Sequence, residues 1–78
     1  MRQRQLRLVV TFHTTAAAMA TEALCRGLGL AGKLISVPRR LTSDCGMAWS
    51  APPELQEALE ARLAEAGIEA EGFYRLVV

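Results

Sequence analysis

Two thiols, one imidazole and an adjacent pair of arginines are the side chains with the most chemical reach in this chain. Cys45 closes the polar run Arg39-Arg40-Leu41-Thr42-Ser43-Asp44, and Gly46 follows it, a stretch whose composition reads as a loop. A thiol acts as a nucleophile in its thiolate form, which nearby cations or a helix N-terminus favour. Asp44 works against them, because one carboxylate disfavours a second anion beside it. Gly46 leaves the sulfur uncrowded and permits a turn that other residues resist. On residue type alone, Cys45 has an equally simple reading as a small apolar residue opening a strand. Cys25 falls in a helical stretch where nothing polar converges, and it reads as filler. His13 is either a proton partner for Cys45 or a solvated residue beside a helix cap. Arg39 and Arg40, with Thr42 and Ser43, can hold an anion such as sulfate, phosphate or a carboxylate, or simply form a solvated loop.

Other chemistries lack their residues. There is no CxxC and only one histidine, so no metal site is expected. The glycines at Gly27 and Gly29 end a helix rather than begin one, which rules out a phosphate-cradling loop. One His, one Asp and no GxSxG leave no hydrolytic triad. The strands carry almost no aromatics on which RNA bases would stack.

The elements that must position Cys45 follow from patterning. Leu6–Phe12 is a short β-branched strand, and Thr14 or Thr15 caps a helix over Ala16–Leu28. Its apolar stripe is expected at Ala16, Ala20, Ala23, Leu24 and Leu28. A second strand covers Lys33–Pro38 and a third Gly46–Ala51, with Met47 and Trp49 on one face. Pro52-Pro53 opens a second helix with Leu55, Ala58, Leu59, Leu63 and Ala66 as its stripe, closed by Gly67. Gly72–Val78 is the last strand. The order β-α-β-β-α-β predicts an α+β, ferredoxin-like sandwich: a four-stranded antiparallel sheet with two helices on one face. That topology brings the end of the first strand, Phe12, His13, Thr14 and Thr15, to the edge where the Arg39–Gly46 loop lies. Cys45 is therefore expected among His13, a helix N-terminus, Arg39 and Arg40.

At 78 residues the chain is expected to be a single domain, 1–78. Nine basic against eight acidic residues argue against a general binder of nucleic acid or membrane surfaces. Free thiols fit a reducing, cytoplasmic setting. Met1–Ala20 is arginine-led and ends in small residues, but its apolar run Leu8–Val10 is too short for a signal peptide.

The stretch Leu34–Trp49, LISVPRRLTSDCGMAW, resembles the selenium/sulfur (Se/S) carrier protein-like family. Thr11-Phe12, the Thr/Ala helix, Pro38-Arg39 and the Cys45-Gly46 pair carry the resemblance, which covers nearly the whole chain. It implies a functional thiol at Cys45, with Pro38 and Arg39 shaping its loop, and assigns no work to Cys25 or His13. The expected function is that of a non-enzymatic carrier, holding a persulfide or selenosulfide on Cys45 between donor and acceptor proteins, with no cofactor. The alternative is a regulatory or adaptor module that binds a small anion or a protein, with Cys45 structural. A redox sensor working through Cys45 alone is a third reading. Edge strands of such a sheet can pair across a two-fold axis, which allows a homodimer.

Overall fold

A computed structural model describes residues 4–78, so the first three residues of the Met1–Ala20 segment lie outside it. Seven alternating residues of high β propensity, Leu6–Phe12, form β1. The extended residue Thr14 caps the helix α1, Thr15–Leu28, by accepting the Ala17 N–H on its side-chain oxygen at 3.1 Å. Gly29, with φ at 71°, ends that helix in the left-handed conformation. Then come β2 (Lys33–Ser36), β3 (Met47–Ala51), one 3-10 turn over Pro53–Leu55, α2 (Gln56–Ala66) and β4 (Ala70–Val77).

The four strands make one sheet in the order β2-β3-β1-β4, with every neighbouring pair antiparallel. This is the ferredoxin-like α+β arrangement that the element order predicts. β1 lies between β3 and β4, so cleavage near Ala20 would remove a middle strand of the sheet. Leu8, Val10 and Phe12 on one side of β1 cluster with Trp49 and Ala51 of β3, Ala18 and Cys25 of α1, and Leu59 and Leu63 of α2. Both helices therefore cover the same face. The alternate residues Arg7, Val9 and Thr11 look the other way. Among the described residues, no helix is long and apolar enough to cross a membrane.

The inward face of α1 differs from the expected stripe. Ala18, Thr21 and Cys25 are buried, while Ala16, Ala20, Ala23 and Leu28 are exposed. Alanine surrounds this helix, so its apolar side is weakly marked. Thr21 turns inward because its hydroxyl donates to the Ala17 carbonyl at 2.9 Å, which satisfies its polarity within the helix. Cys25, outside the expected stripe, has no exposure at all. β2 stops at Ser36 rather than Pro38, and β4 begins at Ala70, two residues before the expected start. On α2, Leu59 and Leu63 are buried, but Ala58 and Ala66 are exposed.

Candidate functional site

The segment between β2 and β3 leaves the sheet and returns to it almost at the same point. The Val37 N–H donates to the Gly46 carbonyl at 3.1 Å, closing the base of the loop. At its far end the Leu41 N–H donates to the Pro38 carbonyl at 2.9 Å, a tight turn around Arg39 and Arg40. Gly46 holds φ at 73°, in the left-handed region; a Cβ there would touch nothing, so the backbone conformation alone calls for glycine.

Cys45 is half-buried and packs against the helix-side core. Its sulfur lies against the first residue of β3: the Met47 N–H donates to Sγ at 3.3 Å, and Sγ–H donates to the Met47 carbonyl at 3.2 Å. Ser43 Oγ lies 4.0 Å from Sγ and donates to the Phe12 carbonyl at 2.7 Å, which ties the loop to the end of β1. Next to it, His13 Nδ1 and Asp44 Oδ2 are 3.1 Å apart, with Glu71 Oε2 3.6 Å from the same nitrogen. The hydrogen bond to Asp44 raises the His13 pKa above its usual value, partial desolvation opposes it, and the charges of Glu71, Asp44 and Glu69 add to the rise. The ligand atoms of His13, Asp44 and Glu71 all lie within 4.8 Å of one another, so this is also where a cation would find ligands. Thr14 is occupied in capping α1, and Thr15 is its exposed first residue.

The expected convergence is thus met on one side and missed on the other. Phe12 and His13 bracket the Ser43–Cys45 segment, as the topology predicts. Arg39 and Arg40 are not among the hydrogen-bond partners of the sulfur. They line a recess with Arg4, Pro38 and Leu76–Val78. Val77 pairs with Leu6, at the opposite end of β1 from Phe12. Six residue steps of a strand separate those ends, about 20 Å. The turn from Pro38 to Leu41 is the physical reason, since it sends the arginines back across the helix-free face. Composition alone does not reveal the direction of that turn. Sequence reasoning also missed the Met47 backbone as the closest partner of Sγ and Glu71 as a neighbour of His13. The left-handed Gly46 between Cys45 and Met47 is the signal that the chain doubles back onto the sulfur.

Cys25 presents the contrasting case: burial pushes its thiol pKa up. Both cysteines are free.

The family described as "Putative Se/S carrier protein-like" matches residues 7–75, nearly the whole chain. The chain belongs to this family. Membership in the Se/S carrier-like family supports a general carrier role and implies partner proteins. Among curated proteins and solved structures, none matches the chain.

Proposed function

We propose that this Se/S carrier-like protein holds its cargo as a persulfide or selenosulfide on Cys45 and passes it between a donor and an acceptor protein. The observation that carries this reading is the contrast between its thiols. Cys45 is partly open, lies in the loop that bears the family resemblance, and has the Met47 backbone N–H turned toward its sulfur. Cys25 is sealed in the core.

Loading needs no oxidant. The Cys45 thiolate attacks the outer sulfur of a donor persulfide; the new Sγ–S bond forms as the donor S–S bond breaks, and the donor thiolate leaves. The outer sulfur keeps its oxidation state. Delivery repeats the exchange, with the acceptor thiolate attacking the outer sulfur and Cys45 leaving. Selenium follows the same path with an outer selenium atom. The N–H of Met47 is placed to hydrogen-bond a negatively charged sulfur at either stage.

Incubation with a cysteine desulfurase and cysteine, followed by intact mass measurement, tests the proposal. The wild type is expected to gain about 32 Da per transferred sulfur atom. Cys25→Ser should load normally and Cys45→Ser not at all. An unloaded wild type, or equal loading of Cys45→Ser, overturns it.

A further inference from the structure

The helix-free face of the sheet gathers positive charge that the near-neutral composition conceals. Arg7 points to this face from β1 and is half-buried. Its Nε donates to Ser50 Oγ at 3.0 Å and a terminal nitrogen donates to the Ser50 carbonyl at 3.3 Å. Those partners are neutral. They fix the guanidinium in place without neutralising it, and its remaining N–H groups have no protein partner among the described residues. Lys33 stands directly opposite Ser50 in the β2–β3 register, on the same side of the sheet. Arg7, Lys33 and Ser50 line one recess of about 800 Å³. Arg4, Arg39 and Arg40 line an adjoining one of about 510 Å³, and Pro38 and Val78 belong to both.

No acidic side chain lines either recess, and the main-chain carboxylate of Val78, which borders both, forms no ion pair with these cations among the described residues. Among the described residues, none of the five cations forms an ion pair, whereas Arg26 and Arg62 both pair with glutamates on their own helices. The Arg7 guanidinium is held in position without an ion-pair partner and keeps N–H groups free to take up an anion. We infer that this face is a binding site for a phosphate-bearing small molecule, separate from Cys45. The planar fork of Arg7, set by Ser50, suits two oxygens of one phosphate, with Lys33 as a point charge beside it. Ile35 and Pro38 supply apolar wall next to those cations. The recess lies within the size range of small-molecule sites, and no aromatic side chain lines it for base stacking. This inference is independent of what Cys45 carries.

Amide shifts of the full chain, followed while titrating inorganic phosphate, phenyl phosphate or a short single-stranded RNA, test it. Both phosphates should perturb Arg7, Lys33, Ser36 and Ser50 in the range up to about 10 mM. Equal affinity for the two identifies free phosphate as the source, and tighter phenyl phosphate identifies a phosphomonoester with an apolar body. Lys33→Gln, an exposed edge-strand change that leaves the fold intact, should weaken binding about tenfold, and Arg7→Gln by at least as much. Both losses should shrink as salt is raised. Absent shifts, affinities unchanged in both variants, or tighter binding of the RNA would overturn the site.

Discussion

Cys25 and Cys45 are the same side chain placed by one fold in opposite circumstances. Cys25 sits on the inward face of α1 with no exposure, and its neighbours Ala18, Leu59 and Leu63 offer its sulfur nothing polar. Cys45 sits at a loop end, half-buried, with its sulfur against a backbone N–H and a backbone carbonyl. The first thiol contributes volume to packing; the second has its surroundings organised around the sulfur atom. Depth within the helix-side core thus decides what each cysteine can do, and residue type does not.

Alkylation kinetics put the greatest strain on this contrast. In the native protein Cys45 should react with iodoacetamide about a hundredfold faster than Cys25, because Cys25 reacts only when the fold opens. In strong denaturant the two rates should converge, and comparable native rates would dissolve the distinction. Stability should sort the other way. Cys25→Ser buries a hydroxyl in an apolar cluster and should cost about 2 kcal/mol, measured by urea unfolding. Cys45→Ser keeps a partner for its hydroxyl in Met47 and should cost no more than about 0.5 kcal/mol. Ser43→Ala sharpens the description of the loop end, since the bond to the Phe12 carbonyl is lost. It should cost about 1 kcal/mol and speed alkylation of Cys45, while Cys25 quickens only as far as the lost stability raises opening of the fold.

The smallest effect is that of His13. Its folded pKa is raised, so the stability that it adds is fully present below its unfolded value of 6.5 and disappears as pH rises through the folded value. Urea midpoints measured from pH 5 to pH 8 should therefore fall slightly across that window. Asp44→Asn removes the main cause of the shift and should flatten the profile, although Glu71 and Glu69 retain a residual effect. A profile unchanged by that substitution would show that the His13–Asp44 pair does not hold the loop.

The sheet was legible from sequence because its strands are short, β-branched or apolar runs separated by glycine, proline and cap residues. Leu6–Phe12 matched to the residue. The pairing of Phe12 and His13 with the cysteine end of the loop followed from topology. Two things were not legible. The inward face of α1 was hidden because alanines surround the helix and a threonine, satisfied by its own backbone, takes a core position. The arginines were misplaced because Pro38 and Leu41 close a turn whose direction depends on contacts with strands distant in sequence. Charge balance carries no information about placement: five cations line two adjoining recesses, while Glu54, Glu57, Glu60 and Glu65 lie on the 3-10 turn and α2.

The double contact between Sγ and Met47 links occupancy of the thiol to the start of β3. A protonated sulfur can give its hydrogen to the Met47 carbonyl, but a sulfur bonded to a second chalcogen has none to give. In the proposed carrier cycle, attachment of cargo removes the contact that the S–H makes to the Met47 carbonyl and leaves the one from the Met47 N–H. On the proposed function, the amide signals of Gly46 and Met47 should therefore separate a protonated thiol from a sulfur that has lost its hydrogen, whether to ionisation or to cargo.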